Sequence, residues 1–477
     1  MEADLLYQRV AQHYRSAIRS GLMPAGERMP SVRSLTRLHQ VSLSTALQAC
    51  RRLEDEGLLE ARPRSGYFVR PPRRTSIAPA AEPDVRRAPD PAQFVGIHDR
   101  VSAFVATGEL QPVSFDFGAT YAEPGIYPGE ALKAAAIRVL RRQPELLVRP
   151  VSPAGELALR TAIARRALDG GLHLSPDEIT ITHGCIEALN VALRAVAQPG
   201  DVVAVESPTY FGLLQVLESL GLRALEIPTS PHTGLSIEAL ELAFETQPGI
   251  KAVVASPDFQ NPLGCVMPDA DKARLVALCE RRRVPLIEDD TYGMLGDDDT
   301  PLKPLKAWDT TGNVIRCVSL RKTVAPGLRL GWVSGGRLHA RIQMLKYAQS
   351  RANEALGQLT MAEFLGSSAY DRHVARLRRQ IKHQRERVAE AIAAWFPPGT
   401  RLSLPRGGML LWVELPPGCG AHALFEAGMR YGIRTVPGTL FSNTHRYDHF
   451  LRISCGYTVT HETEQALRLL GGLCTAK

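Results

Sequence analysis

The chain has 477 residues, 44% of them hydrophobic, 22% charged and 6% aromatic; that is too long for one compact core and too apolar for wholesale disorder. No apolar run reaches the ~18 to 20 residues that span a bilayer, and the opening MEADLLYQRVAQHYRS carries acids and bases where a secretory leader would be apolar, so a cytoplasmic multi-domain protein with no membrane partner is expected. Of the formal net charge of +8, +6 falls within residues 1–74, which hold 13 Arg, no Lys and 7 acids; a basic end on a nearly neutral body points to a module that meets a polyanion.

Leu6, Val10, Tyr14 and Ile18 recur every four residues and predict a first helix ending near Gly21. Ser31 is a candidate cap for a second, short helix with Val32, Leu35 and Leu38 on one face. Ser42 is a candidate cap for a third, with Leu47, Cys50 and Leu53 buried and Gly57 at its end. Two helices joined by a tight turn make a helix-turn-helix. LLEARPRSGYFV then predicts two strands around a Pro63 to Gly66 turn, with Arg62 and Arg64 at the tip of a basic wing.

Along GERMPSVRSLTRLHQVSLSTALQACRRLEDEGLLEARPRSGYFV the sequence resembles the winged helix of GntR-type bacterial transcription regulators. The resemblance implies double-stranded DNA as partner, with Ser31 and Arg33 touching phosphate and Ser42, Ser44 and Thr45 facing DNA from the recognition helix. Arg62, Arg64 and Gly66 of the wing would enter the minor groove. For each serine a capping or turn role alone is the alternative. Leu43 stands where the family often has Arg, so a bidentate reading of guanine is not expected from that position.

From Pro71 to Ala92 the chain carries six prolines and no aromatic residue, a composition that predicts a semi-extended linker. The expected division is a DNA-binding domain over 1–72, a Pro-rich linker over 73–112 and an effector domain over 113–477, with a possible short helix at Ile97 to Thr107. From about Thr180, strand-like runs (ITIT, VVAVE, RALEI, KAVVA, VPLIE, VIRCVS) alternate with helical stretches. That alternation predicts an α/β body built on a mostly parallel sheet, whose ligands bind beyond the C-terminal strand ends. The chemically distinctive residues fall there: Gly184, Tyr210, Asn261, Asp289 and Lys322 each stand at the exit of one of these runs. The eight cysteines are scattered without a C-x-x-C pair, so neither a disulfide framework nor a metal site is expected.

Only nine lysines occur in the chain, and Lys322 lies in SLRKTVAPGLRLGW with Ser319 three residues before it and Arg329 seven after. Amine, hydroxyl and guanidinium at a strand exit suit a phosphate-bearing aldehyde cofactor. Together with IEDDTYG, SPDFQNPLG and ESPTYFG, this stretch resembles the fold-type I pyridoxal-phosphate aminotransferases from about Asp116 to the C-terminus, which adds a smaller C-terminal subdomain to the expected fold. The resemblance implies pyridoxal 5'-phosphate on Lys322, the catalytic residue of such enzymes. It implies Asp289 against the pyridine nitrogen, Tyr292 and Asn261 on the phenolic oxygen, and Tyr210 stacked on the ring. The phosphate would rest on the amides of Gly184, Cys185 and Ile186 and on Ser319 and Arg329, and Arg452 would fork onto an α-carboxylate. Enzymes of this kind usually have Ser or Ala and then Gln at Cys185 and Ile186, and Pro150 replaces a tyrosine commonly lent by the neighbouring subunit. Winged helix, linker and aminotransferase-like body in this order resemble the MocR-type branch of GntR regulators, which implies a homodimer responding to the cofactor, an amine or an amino acid. The alternative is a working aminotransferase with a DNA-binding appendage.

Overall fold

The computed structural model describes residues 6–475 apart from 21, 25, 57, 63–64, 70–76, 86–87 and 299. The expected ends at Gly21 and Gly57 and the wing residue Arg64 lie outside the described residues. The chain divides into two compact units between residues 76 and 77.

In the first unit, α1 (Leu6–Arg19), α2 (Val32–His39) and α3 (Leu43–Asp55) precede an antiparallel pair, β1 (Leu59–Arg62) and β2 (Gly66–Val69). Both expected caps form: Ser31 Oγ accepts from the Ser34 N–H and Ser42 Oγ from the Thr45 N–H, each at 3.1 Å. They satisfy donors that the first helical turn leaves without an intrahelical partner. Val10, Tyr14, Leu35, Ala46, Cys50, Leu53, Leu59 and Val69 fill the core. Leu38 departs from the expected buried face, at 66% exposure. An eight-residue helix buries only its middle, and the small side chains of Ala46 and Ala49 on α3 close the core over Leu35.

The second unit begins earlier than the sequence reading places it. Residues expected in the linker run over the body: Ala78 bridges to Arg401, the Ala80 N–H donates to Ser403 Oγ, and the Ala81 N–H donates to Glu414. β3 (Gln93–Phe94) then pairs with a sheet edge, Ile97 is fully buried, and α4 (His98–Leu110) covers the longer range of the expected short helix. A Pro-rich chain makes few hydrogen bonds to itself, and here its free backbone groups are met by the body.

β4 (Phe115–Asp116), α5 (Gly129–Arg142) and α6 (Leu157–Ala167) lead into the main sheet. Its remaining strands are β5 (Thr180–Thr182), β6 (Val202–Ser207), β7 (Arg223–Ser230), the short β8 (Gly234–Leu235), β9 (Ile250–Ala255), β10 (Leu286–Asp290), β11 (Val314–Ser319) and β12 (Gly331–Ser334), with α7 (Cys185–Val196) following β5. The spatial order is β3-β7-β6-β9-β10-β11-β12-β5, with β8 paired to β7. The run from β7 to β11 is parallel, and β3, β12 and β5 enter antiparallel pairings. Alternate strand residues feed two apolar clusters, one holding Leu189, Val203 and Val254, the other Leu225, Val253 and Leu286, as expected for a sheet covered on both faces.

The C-terminal subdomain is a small antiparallel sheet of β13 (Arg401–Leu402), β14 (Leu410–Glu414), β16 (Val436–Pro437) and β17 (Phe450–Ser454). β15 (Ile433–Arg434) pairs separately with β4. Helices Ser368–Trp395 and His461–Thr475 flank it, and Val388, Ile392, Leu467 and Leu470 pack into its core. Here the structure corrects the cysteine reading: Cys419 and Cys474 form a disulfide with Cα atoms 5.7 Å apart. Their separation of 55 residues concealed the pairing, because the C-terminal helix folds back beside the segment after β14. Among the described residues, no helix is long and apolar enough to cross a membrane and no His, Cys, Asp and Glu cluster could hold a metal.

Candidate cofactor site and DNA-facing surface

The ends of β5, β6, β9, β10 and β11 deliver side chains to one cavity. Gly184, Cys185, Ile186, Tyr210, Asn261, Asp289, Tyr292, Ser319, Lys322 and Arg329 all line it. Residues spread from Gly184 to Arg329 meet because they lie at the ends of strands of the same sheet or in the loops beyond them, with Arg329 just before β12.

Gly184 (φ +83°) turns the chain from β5 into α7, and no side chain caps that helix, so the first-turn N–H groups of Cys185 and Ile186 remain available to an anion. Gly331 on β12 permits the close approach of this turn. A Cβ there would lie 2.7 Å from the Gly184 carbonyl carbon. Ser319 closes β11, its Oγ accepting from the Arg321 N–H at 3.3 Å. Arg329, in the left-handed region at φ +50°, lines the cavity beside it.

Lys322 is 7% exposed, and its Nζ donates to Thr120 Oγ1 at 2.5 Å and stands 5.9 Å from the centre of the Tyr292 ring. Burial first, then the positive charges of Arg321 and Arg452, push this amine down to about 7. Asp289 Oδ1 accepts from Cys185 Sγ and from Thr291 Oγ1. Burial raises the Asp289 carboxyl, while those two donors act in the opposite direction. Burial likewise raises the Cys185 thiol and the Tyr292 phenol, so both stay protonated at neutral pH. Tyr210 packs against Gly212, where a Cβ would fall 2.5 Å from its ring.

Arg452 on β17 stands one step back. It is 1% exposed and donates through Nη1 to Asn261 Oδ1 at 3.2 Å and through Nη2 to the Gly118 carbonyl at 2.5 Å. Its Nε is buried with no hydrogen-bond partner. The guanidinium thus reaches the cavity wall through Asn261 rather than lining it.

Thr120, Thr291 and Arg321 are among the cavity residues that escaped the sequence reading. Thr120 and Thr291 carried no signal, the first because it lies in an irregular stretch about two hundred residues before Lys322. Arg321 did carry one: it is the basic residue directly before the lysine in SLRKT.

In the winged helix, the hydroxyls of Ser42, Ser44 and Thr45 cluster at the start of α3, with Ser42 Oγ 2.8 Å from Ser44 Oγ and 2.7 Å from Thr45 Oγ1. Capping is therefore a role Ser42 and Ser31 do perform. Ser31, Arg33, Ser42 and Ser44 are exposed, and Leu43 beside them is 60% exposed. Arg62 is less free than a wing-tip arginine was expected to be: Nε pairs with Glu60 Oε1 at 2.6 Å and the guanidinium lies 4.3 Å over the Phe68 ring. Gly66 takes φ +100°, which closes the wing turn.

Residues 6–69 match the family of bacterial regulatory proteins, gntR family, and residues 125–470 match aminotransferase class I and II. The uncharacterized HTH-type transcriptional regulator YjiR of Escherichia coli (strain K12) is 37% identical over 98% of each chain. The kynurenine aminotransferase of Pyrococcus horikoshii, solved in complex with PMP, superposes with a TM-score of 0.73 at 25% identity, covering 79% of this chain and 94% of that one. The α-aminoadipate aminotransferase LysN of Thermus thermophilus, solved with N-(5'-phosphopyridoxyl)-L-leucine, gives 0.71 at 25% identity over 78% and 94%. Fold and site together define an aminotransferase class I and II body joined to a gntR-type winged helix. The chain belongs to the gntR family of regulatory proteins, in the MocR-type branch that carries such a body.

A body of this class generally binds pyridoxal phosphate, and the donor set fits that group. A buried amine, a carboxylate held by two donors, a tyrosine ring and an uncapped helix N-terminus with a hydroxyl and a guanidinium beside it all face one cavity.

Proposed function

We propose that this chain is a cytoplasmic transcription regulator whose body holds pyridoxal 5'-phosphate on Lys322 and senses the cofactor, or an amine or amino acid that reacts with it. One observation carries the reading: a winged helix shares the chain with a buried amine, Lys322, in a cavity that also contains Asp289. Bound there, the cofactor would supply an aldehyde and an electron-withdrawing ring. With its amine pushed down to about 7, Lys322 is substantially neutral, and so nucleophilic, at physiological pH.

Asp289 would pair with the ring nitrogen, Tyr292 and Asn261 with the phenolic oxygen, and Tyr210 would stack on the ring. Ser319, Arg329 and the N-terminal amides of α7 (Gly184, Cys185 and Ile186) would hold the phosphate. Arg452 would receive an α-carboxylate, with Asn261 handing over its hydrogen bond. Two bodies would pair as a homodimer and present two winged helices to double-stranded DNA. There Ser31, Arg33, Ser42, Ser44, Thr45 and the wing residues Arg62, Arg64 and Gly66 would make the contacts. An effector shifts this system only if it binds two arrangements of the dimer with different affinity.

Selection of DNA bound by the purified full-length protein, with and without candidate amines, tests the reading. Enrichment of one sequence that depends on an added amine or on the cofactor is the expected result. Steady turnover of an amino acid and a keto acid with no sequence enriched would assign the protein to the enzymes instead.

A further inference from the structure

The cavity carries more positive charge than the roles above employ. Arg321 lines it between Ser319 and Lys322, and its Nε is buried with no hydrogen-bond partner. Two acids share the lining, and both are engaged: Asp258 takes Lys272 Nζ at 2.7 Å, and Asp289 accepts from Cys185 and Thr291. Among the described residues neither pairs with Arg321. A guanidinium atom removed from water without an acceptor is costly, and the natural remedy is an acceptor on the ligand.

The position of Arg321 limits which ligand atom this can be. Its guanidinium lies 5.6 Å from the centre of the Tyr121 ring, while Arg452 donates to the Gly118 carbonyl; between those two residues, Thr120 holds Lys322 Nζ. Two arginines, each with a bare buried Nε, therefore stand at the two ends of the stretch 118–121 with the reactive amine between them. Four extended residues span roughly 10 Å to 14 Å at most, which long side chains at both ends shorten to the reach of a small molecule anchored in its middle. The cofactor phosphate already has an uncapped helix N-terminus, Ser319 and Arg329, and the α-carboxylate already has Arg452.

Resting on the reading of Lys322 as the cofactor amine, we propose that Arg321 binds a second anionic group of the effector, so that the molecule sensed is a dicarboxylic amino acid. A planar guanidinium suits a carboxylate, and its discrimination against the neutral amide comes from the acceptor pair that the amide lacks.

The test is titration of full-length, cofactor-loaded protein with L-glutamate and with L-glutamine, reading the visible absorbance of the cofactor and the heat of binding. Glutamate should bind at least about tenfold more tightly. Arg321→Gln should bring glutamate down to the glutamine level, and Arg321→Lys should keep part of the preference, which also guards against a variant that merely misfolds. Equal affinities in the wild type, or a preference that survives Arg321→Gln, would overturn the proposal. So would loss of cofactor from Arg321→Gln on dialysis, which assigns Arg321 to the phosphate. Failure of the underlying reading looks different: the wild type then shows no cofactor band, and both proposals fall, whereas a cofactor band with no response to either amino acid overturns the Arg321 proposal alone.

Discussion

Cys185 Sγ donates a hydrogen bond to Asp289 Oδ1 at 3.1 Å, joining the first residue of α7 to the end of β10 across 104 positions of sequence. The same oxygen accepts from Thr291 Oγ1 at 2.9 Å. Two donors on one carboxylate oxygen fix its orientation and favour its charged form against the burial that raises its pKa. The thiol at a position where a small residue would suffice is thus part of how the acid is aimed.

That arrangement orders the effects of two substitutions. Asp289→Asn removes the charge that would face the ring nitrogen, and cofactor affinity should fall by about tenfold or more. Cys185→Ala removes one neutral donor and leaves Thr291, so its loss should be less than about tenfold. Cofactor retained after dialysis of each protein measures both; an equal loss would show that the thiol matters as much as the acid.

Lys322 gives a pH signature in the cofactor-free protein. Its amine titrates near 10.5 in the unfolded chain and at about 7 when folded, so between those values the unfolded chain binds more protons and stability rises with pH. The slope is up to about 1.4 kcal/mol per pH unit. Lys322→Met should flatten that rise, seen as a difference between wild-type and variant urea unfolding at pH 7, 8 and 9. Cofactor uptake by the wild type should also quicken as pH approaches 7 and level off above it, because only the neutral amine attacks an aldehyde.

Much of this cavity was legible in the sequence because its residues sit at or beyond strand ends, where an apolar run stops and a polar residue follows. Lys322 and Asp289 stood out for that reason. What stayed hidden depends on distant parts of the chain. Thr120 reaches Lys322 from an irregular segment, Cys474 reaches Cys419 by the fold-back of the last helix, and the stretch around Ala80 and Ala81 looks unfoldable alone because the hydrogen-bond partners of those two residues, Ser403 and Glu414, lie over three hundred residues away. Leu38 was misplaced for a simpler reason: an apolar period does not say where an eight-residue helix runs out of core.

The hydroxyl cluster at α3 separates folding from DNA contact. Ser42→Ala removes the acceptor for the Thr45 N–H and should cost about 1 kcal/mol of winged-helix stability. Ser44→Ala leaves that cap in place, so any loss of DNA affinity it causes with an unchanged melting profile belongs to contact alone. In the full-length protein, affinity should fall steeply with salt, as neutralised phosphates release counterions. Salt-independent binding would contradict a site built on the basic excess of residues 1–74.

Arg452→Lys probes whether a buried guanidinium serves the ligand or the fold. Arg452 already spends two nitrogens on Gly118 and Asn261, and burial lowers its pKa, so its charge is held at a cost that nothing among the described residues offsets with an ion pair. A carboxylate arriving beside Asn261 would supply that partner. Lysine keeps the charge but loses the planar pair of donors, so the variant should retain the cofactor band and bind DNA, while an added amino acid changes neither its spectrum nor its DNA affinity. Loss of the cofactor band with the fold intact would move Arg452 into cofactor binding. A normal response to amino acids would mean that the carboxylate is received elsewhere, and that the bridge from Gly118 to Asn261 is what this arginine is for.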